Sequence, residues 1–267
     1  MERKDYPAVG EAVYQTTLRN GLKVFLLPKR DFNETYGIMT ANFGSIDTSF
    51  IPRGSNQAVQ YPAGVAHFLE HKLFEDENGQ DLLQQFVELG AESNAFTSFT
   101  KTSYLFSATD NVLENVRLLQ SLLENAYFTE ESVQREQGII QQEIDMYKDN
   151  PDYCLFFHTL ANLYPDTPLA EDIAGSVESI AEITVEDLDE NFETFYHPSN
   201  MSLLLIGNFD LEKTIAVIRE QHESLKGIDE ESLIRRFPLA LNPVISTGSI
   251  RMKVANSKLA IGLRGNQ

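Results

Sequence analysis

The sequence predicts an α+β fold, with helices packed on one face of a mainly antiparallel sheet. Strand patterns and helical patterns both occur, but they do not alternate regularly, as they would in a parallel α/β fold. Two of the strand patterns flank a tight turn, which is typical of an antiparallel hairpin. Of the 267 residues, 42% are hydrophobic and 10% aromatic, a composition that indicates a globular chain with a large core.

The first elements are predicted from a turn signal. The pair Asn20-Gly21 favours a two-residue turn, with strands over residues 13–18 and 22–28 on either side. A further strand is predicted over residues 35–43. Residues 45–61 contain proline and glycine and are predicted to form a loop that leads into the next helix.

The remaining elements follow from periodicity and capping signals. A long strand or a hairpin is predicted over residues 95–107, which are rich in β-branched and aromatic side chains. Other strands are predicted over residues 201–206, 249–254 and 258–263. Helices are predicted over residues 64–74, 80–89, 111–125, 129–148, 153–163, 184–196 and 211–225.

Charge and cysteine content limit the partners and the compartment. The chain has 21 basic and 40 acidic residues, a formal net charge of −19, and no Lys/Arg cluster, so nucleic acid is not an expected partner. The single cysteine, Cys154, excludes an internal disulfide and is predicted to be a small buried hydrophobe. No apolar run reaches spanning length, and the first residues lack the apolar region of a signal peptide. We therefore expect a soluble, cytoplasmic protein without a membrane partner.

The most informative segment is His67-Phe68-Leu69-Glu70-His71, inside the helical pattern over residues 64–74. At about 100° per residue, His67, Glu70 and His71 point to the same side of this helix. A hydrolytic zinc site needs three protein ligands and one open position for water, and two imidazoles one turn apart supply two of the ligands. Glu70 is suited to accept a proton from that water, and the H-x-x-E-H order is the inverted form of a zinc-peptidase motif. A surface helix with a chance cluster of polar side chains is the alternative.

A second helix, over residues 129–148, carries two glutamates on its apolar side. Glu136 and Glu143 are seven residues apart, two helical turns, in the same stripe as the hydrophobic side chains. A buried carboxylate needs a partner. A zinc ion held by the His pair would supply one. The alternatives are that both glutamates pair with Arg or Lys, or that the stripe is exposed.

The other three histidines are not predicted to be metal ligands, because none has a second donor at ligand spacing. His158 is predicted to pack in the core, His197 to lie in a turn, and His222 to face solvent from a helix.

Together these segments resemble the pitrilysin/insulinase family of inverted zinc metallopeptidases, and within it the bacterial insulinase-like peptidases. The similarity extends over nearly the whole chain. It includes the hairpin around Asn20-Gly21, the H-x-x-E-H segment, Ser93-Asn94-Ala95-Phe96-Thr97, the helix from Arg135-Glu136 to Glu143, and Phe195-Tyr196-His197-Pro198.

By position, the resemblance assigns the ligands of one Zn²⁺ ion to His67, His71 and Glu143, and the general base to Glu70. It assigns Glu136 to a supporting position that tunes the site, and an exchange of roles between the two glutamates is compatible with the sequence. Because the core positions are intact, the resemblance implies an active peptidase. In the implied reaction, zinc lowers the pKa of bound water to about 7 and Glu70 accepts its proton. Mn²⁺ and Co²⁺ also suit a site of this donor type.

The resemblance also implies a peptide-binding strand. In the family, the strand that begins at the Asn-Ala pair is an edge strand that binds the substrate backbone, which assigns Asn94, Ala95 and Phe96 to peptide binding. Main-chain hydrogen bonds at such an edge give affinity with broad sequence tolerance. An ordinary sheet strand is the alternative.

Family members contain a second half of similar fold, and the two halves close around the substrate. The resemblance thus implies a catalytic zinc-binding domain over residues 1–228, a linker over 229–246 and the first strands of a second homologous domain over 247–267. In the family the second half adds Arg and Tyr side chains that hold the substrate. We therefore expect this chain alone to bind zinc but to have weak or no peptidase activity without that half or a homologous partner chain. The alternative is a non-catalytic scaffold subunit that retains a structural metal site.

Overall fold

A seven-stranded sheet forms the centre of the protein in a computed structural model, which describes residues 1–52, 55–76, 79–122, 126–222, 235–236 and 238–265. Its strands are β1 (Glu2–Tyr6), β2 (Glu11–Thr17), β3 (Lys23–Pro28), β4 (Thr35–Ala41), β7 (Ala91–Thr97), β8 (Thr102–Ala108) and β9 (Met201–Gly207). Their order in the sheet is β1-β2-β3-β9-β4-β8-β7. Five of the six neighbouring pairs are antiparallel, and only β3 and β9 run parallel.

The helices are α1 (Val65–Lys72), α2 (Leu82–Glu88), α3 (Val112–Ser121), α4 (Glu130–Lys148), α5 (Pro151–Leu163), α6 (Val177–Glu182), α7 (Val185–Phe195) and α8 (Leu211–His222). Local signals explain where the long ones begin. Thr129 caps α4 through a capping box, and Asn150 caps α5 by accepting hydrogen bonds from its first backbone N–H groups. None of the described helices is long and apolar enough to cross a membrane.

One face of the sheet is buried beneath the helices. Along β4 and β9 buried residues alternate with more exposed ones, and Met39, Leu203 and Leu205 are at most 2% exposed. Phe68 of α1 and Ile140 of α4 belong to the same hydrophobic core. The predicted α+β class, with helices on one face of a mainly antiparallel sheet, is confirmed.

Several elements differ from the prediction. Residues 45–61 are not only a loop, because they contain β5 (Ser49–Ile51) and β6 (Val59–Gln60), which form a small sheet with β10 (Arg235–Arg236). Phe50 explains this pairing. It is fully buried and packs against Tyr61 and Phe195, with ring centroids 5.3 and 4.6 Å apart. The strand β1 and the short helix α6 were not predicted. Because β1 is exposed along its length and α6 has only six residues, neither has a clear hydrophobic periodicity.

The two strands predicted over residues 249–254 and 258–263 are absent, and residues 238–265 contain no helix or strand. A strand requires a neighbouring strand, whereas this segment lies beside α5, where the Ile245 N–H donates to the Asn162 carbonyl at 2.8 Å. Some predicted boundaries lie outside the described residues. They are the ends of the helices over 111–125 and 211–225, the domain boundary at 228 and the first part of the linker over 229–246.

Candidate metal centre

The helix α1 is held at a fixed position by a close backbone contact. Gly64, which precedes α1, has a φ of 91°, and a Cβ atom there would lie 2.6 Å from the carbonyl oxygen of Ala174. Behind this contact Phe68 and Leu69 are fully buried. Their burial fixes the rotation of α1, so that the imidazole of His67 points toward α4.

The structure brings the three predicted ligands together. The Nε2 atom of His67 lies 3.7 Å from Oε2 of Glu143, and the Nε2 atom of His71 lies 3.4 Å from the same oxygen. One ligand atom from each residue falls within 4.8 Å of the other two. Tetrahedral zinc ligands at about 2.0–2.2 Å from the ion are about 3.3–3.6 Å apart. The donor set therefore fits a tetrahedral zinc ion with small side-chain adjustments.

Glu136 lies behind one imidazole rather than among the converging donors. Its Oε1 atom is 2.8 Å from Nδ1 of His71. Because a carboxylate accepts, Nδ1 is assigned as the donor, which leaves Nε2 of His71 directed at Glu143. Such a carboxylate behind a histidine fixes the orientation of the ring. The Nδ1 atom of His67 is buried and has no hydrogen-bond partner among the described residues.

The two imidazoles differ electrostatically although they are one turn apart. Burial, and then the neighbouring His71, lower the pKa of His67 to about 4. Burial alone would lower the pKa of His71, but hydrogen bonds to Glu136 and Glu143 raise it to about 9. The hydrogen bond from His71 is also the main cause of the lowered pKa of Glu143. Since a ligating imidazole must be neutral, a metal cation would take the place of the proton between His71 and Glu143.

Glu70 faces the same region but has a different partner. The Thr97 hydroxyl donates to Oε2 of Glu70 at 2.5 Å, and the Thr97 backbone N–H also hydrogen-bonds to this carboxylate. Burial raises the pKa of Glu70, and the Thr97 hydrogen bonds oppose part of that rise. Glu70 thus lies beside the donor cluster without belonging to it.

Thr97 is the last residue of β7, which is an edge strand of the seven-stranded sheet. The Ser98 N–H donates to the Lys101 carbonyl at 2.8 Å, so these two opposed residues form a hydrogen-bonded pair. Hydrogen-bonded and non-hydrogen-bonded pairs alternate along an antiparallel ladder. Thr97 and Ala95 therefore belong to non-hydrogen-bonded pairs with β8. Their backbone groups therefore point to the outer side of the edge. Asn94 and Phe96 have exposed side chains, and Asn94 Oδ1 accepts from the Ala95 N–H at 2.8 Å.

Outside this centre, the prediction for His222 is wrong, and the predictions for His158 and Cys154 are inexact. His158 was predicted to pack in the core, but it is half-buried on α5, a helix without a buried residue. His222 is buried, with 4% exposed, and its Nδ1 lies 3.0 Å from the amide nitrogen of Asn20. It lies on the face of α8 that packs on the core, next to Ile218. Cys154 is half-buried, and its Sγ donates to the Lys148 carbonyl at 3.2 Å. The prediction of a turn at His197 is confirmed, since its side chain caps a short 3₁₀ helix.

Sequence reasoning gave no role to Thr97 or Tyr147. Tyr147 lies one turn after Glu143 in α4 and contributes to the lowered pKa of that carboxylate. That i, i+4 spacing is a signal that could have identified it. No local spacing connects Thr97 with Glu70, which are 27 residues apart.

Comparisons with known proteins agree with this arrangement. The family described as "Insulinase (Peptidase family M16)" matches residues 49–177, and "Peptidase M16 inactive domain" matches residues 182–267. The uncharacterized zinc protease YmfH of Bacillus subtilis (strain 168) is 46% identical over 261 residues, which are 97% of this chain and 61% of that protein. An uncharacterized zinc protease of Mycobacterium leprae is 31% identical over 79% of this chain and 46% of its own length.

Solved structures show the same fold. The crystal structure of a "putative M16-like peptidase" from Alicyclobacillus acidocaldarius is 38% identical and has a TM-score of 0.81, over 88% of this chain and 54% of its own. The first half of the periplasmic protease PqqL from Escherichia coli has a TM-score of 0.70 at 22% identity, over 85% of this chain and 49% of its own. The present chain spans about half to three fifths of the length of these relatives. The chain belongs to the pitrilysin/insulinase family, peptidase family M16.

Proposed function

We propose that this chain is the catalytic half of a zinc-dependent metalloendopeptidase, which hydrolyses peptides or small unfolded proteins. One observation carries the proposal: His67, His71 and Glu143 converge at a spacing that suits a zinc ion, and the Glu70 carboxylate lies beside them without being one of the converging donors. The relatives named zinc proteases support the choice of metal.

In this proposal His67, His71 and Glu143 hold one Zn²⁺ ion, while Glu136 orients His71. When bound, zinc lowers the pKa of water to about 7 and polarises the scissile carbonyl. Glu70 is the general base: it accepts the proton of the attacking water and transfers it to the leaving amine. Its hydrogen bonds to Thr97 hold the carboxylate in place for both transfers.

The substrate backbone is proposed to pair with β7 as an additional strand. The outward backbone groups of Ala95 are available to such a peptide once the Asn94 side chain releases the Ala95 N–H. Phe96, 38% exposed, would then lie beside the substrate side chains. Because Thr97 ends β7 and also contacts Glu70, a peptide that pairs with this edge passes close to the proposed base.

We further propose that peptidase activity requires a second half, as a continuation of the chain or as a homologous partner. This proposal includes the division into residues 1–228, 229–246 and 247–267, with the last segment as the start of the second domain. It is supported by the length of the relatives and by the match to the first half of PqqL. The chain alone would then bind zinc and cleave peptides weakly or not at all.

The test compares wild type with Glu70→Gln in a chain extended by the second half that the relatives carry. We expect the substitution to lower peptide cleavage by about 10²–10⁴-fold, the usual contribution of a general base, with zinc content unchanged. Glu131→Gln, an exposed position in the first turn of α4, is the matched control and should cleave normally. A Glu70→Gln variant that cleaves like wild type overturns the proposal. A zinc-loaded wild type without cleavage favours the scaffold alternative.

A further inference from the structure

The 44–47 turn, which lies after β4, holds the hairpin turn that joins β7 to β8. The Ser45 N–H donates to the Ser98 carbonyl at 3.0 Å, and the Ile46 N–H donates to the Phe99 carbonyl at 3.1 Å. Both hydrogen bonds join main chain to main chain, so they fix the path of the hairpin turn and not the position of a single side chain. The hairpin turn begins directly after the last residue of β7. Any movement of the 44–47 turn therefore reaches the end of β7.

The two turns approach each other closely enough to require glycine. A Cβ atom on Gly44 would lie 2.5 Å from the carbonyl carbon of Phe99. One residue earlier, the Phe43 carbonyl accepts from the Thr102 hydroxyl at 2.9 Å, on the other strand of the hairpin. The hairpin is thus held on both strands beside Thr97, the hydrogen-bond partner of the proposed general base.

A buried ion pair fixes the shape of the 44–47 turn. Asp47 is 5% exposed, and its Oδ2 atom accepts the Gly44 N–H at 2.9 Å. Its Oδ1 atom accepts from Nε of Arg236, and the same guanidinium donates to the carbonyl of Asn42. One arginine therefore binds both the carboxylate that closes the turn and the backbone that leads into it.

Asp47 needs this cation because its carboxylate is buried. Burial raises the pKa of Asp47, and the ion pair with Arg236 opposes part of that rise. No other basic side chain pairs with Asp47 in the part of the chain that the structure describes. A buried carboxylate that loses its only cation is strongly disfavoured, so it would move toward water or take up a proton. Movement would withdraw the acceptor from the Gly44 N–H, and protonation would weaken this hydrogen bond.

We propose that Arg236 is a positioning residue of the peptidase site, which holds the 44–47 turn in place and thereby keeps Thr97 beside the proposed base. The inference rests on the proposed function, because it requires that Glu70 is the general base. Arg236 belongs to β10, in the predicted linker between the two halves, and β10 pairs with β5. The linker would then contribute to the geometry of the base as well as join the halves. If Arg236 only fastened β10 to the protein, its loss would lower stability and leave kcat unchanged.

The experiment compares Arg236→Gln with Arg117→Gln in a chain extended by the second half that the relatives carry. Both substitutions remove a guanidinium that pairs with a carboxylate, but the pair of Arg117 with Glu220 joins α3 to α8 on the surface. The kcat and KM for a peptide are measured at a temperature at which circular dichroism shows that the variants are folded. We expect Arg236→Gln to lower kcat by about 10–10²-fold, as a small misplacement of a catalytic group does, with KM and zinc content unchanged. Arg117→Gln should leave kcat unchanged.

Amide hydrogen exchange reports on the turn itself and does not depend on activity. The amides of Ser45 and Ile46 should exchange faster in Arg236→Gln than in wild type, and those of α8 should not. If Arg236→Gln does not fold, the double variant Asp47→Asn, Arg236→Gln takes its place, because it leaves no buried charge without a partner. The same two changes are expected in it.

The outcomes are distinct. If wild type cleaves and the folded variant has a normal kcat, the inference is wrong and the proposed function stands. Unchanged exchange of Ser45 and Ile46 would also overturn the inference, because Arg236 would then not hold the turn. If the zinc-loaded wild type does not cleave, the proposed function fails and the inference fails with it.

Discussion

Two leucine-rich segments of the chain have similar patterns and opposite environments. The strand β9 lies between β3 and β4, and its Leu203 and Leu205 are fully buried. Residues 258–263 also alternate apolar side chains, yet Leu259 is 85% exposed and Leu263 is 92% exposed. The difference shows that an alternating pattern becomes a strand only where neighbouring strands and a covering layer exist. Such neighbours surround β9, whereas no strand pairs with residues 258–263 among the described residues.

Matched leucine substitutions test this comparison directly, and they have the largest expected effect. Leu205→Ala removes buried methyl groups from the sheet and should lower the free energy of unfolding by about 2–5 kcal/mol. Leu259→Ala should change it by less than about 0.5 kcal/mol, because its side chain is already in solvent. Urea unfolding of the 267-residue chain measures both.

The same pair also tests the proposed second half. In a chain extended to the length of the relatives, Leu259→Ala should become destabilising if residues 247–267 begin a second domain. Equal effects of the two substitutions in the 267-residue chain would contradict the opposite environments of Leu205 and Leu259.

Charged residues show the same contrast between the core and the surface. The Lys72 side chain has no exposed area and pairs with Glu75, which also accepts from Arg135 of α4 at 2.6 Å. Burial alone would raise the pKa of Glu75, but its hydrogen bonds to Lys72 and Arg135 lower it overall. This network joins the end of α1 to α4, the two helices that carry the candidate zinc ligands. By contrast, the pair Arg117–Glu220 lies on the surface, with side chains 49% and 74% exposed.

We therefore expect Glu75→Ala to lower the free energy of unfolding by about 3 kcal/mol, because it leaves the buried Lys72 ammonium without its partner. The control Glu220→Ala breaks an exposed ion pair and should cost less than about 1 kcal/mol. Chemical denaturation at neutral pH compares them. The prediction fails if the two variants are equally stable, which would mean that Lys72 reaches water when Glu75 is removed.

Local signals explain which parts of the fold were predictable. The Asn20-Gly21 turn, the cap at Thr129 and the spacing of Glu136 and Glu143 each depend on neighbours in sequence, and each element lies where it was predicted. Periodicity also places His67 and His71 on one side of α1, but it does not state that this side meets α4. That contact was inferred from the cost of burying carboxylates and from the family resemblance.

The parts that sequence reasoning missed depend on tertiary contacts. The pairing of β5 with β10 joins residues about 185 positions apart, and the partner of Glu70, Thr97, is on another element. His222 was expected to face solvent because it is a polar residue on a helix of mixed polarity. The sequence of such a helix does not show that one of its polar side chains lies on the buried face. Its partner, Asn20, is 202 residues away in sequence.

The smallest predicted effect is a pH dependence that originates at His222. Burial lowers the pKa of His222 below its ordinary value of 6.5, and Nε2 is buried without a hydrogen-bond partner among the described residues. Protonation would place an unsatisfied N–H there. Because the unfolded chain binds the proton more readily, the stability that neutral His222 contributes is complete above pH 6.5. It is lost as the pH falls from 6.5 toward the folded pKa.

Urea unfolding of the zinc-free chain at pH 7.5 and pH 5.5 tests this prediction in wild type and His222→Gln. Wild type should lose more stability between these values than the variant, in which no proton binds at position 222. The test compares the loss of stability in wild type with the loss in His222→Gln. His67, whose pKa is also lowered, contributes equally to the pH dependence of both proteins, so its contribution cancels in this comparison. A variant with the same pH slope as wild type would show that His222 accepts its proton without cost, through a rearrangement that brings water to Nε2.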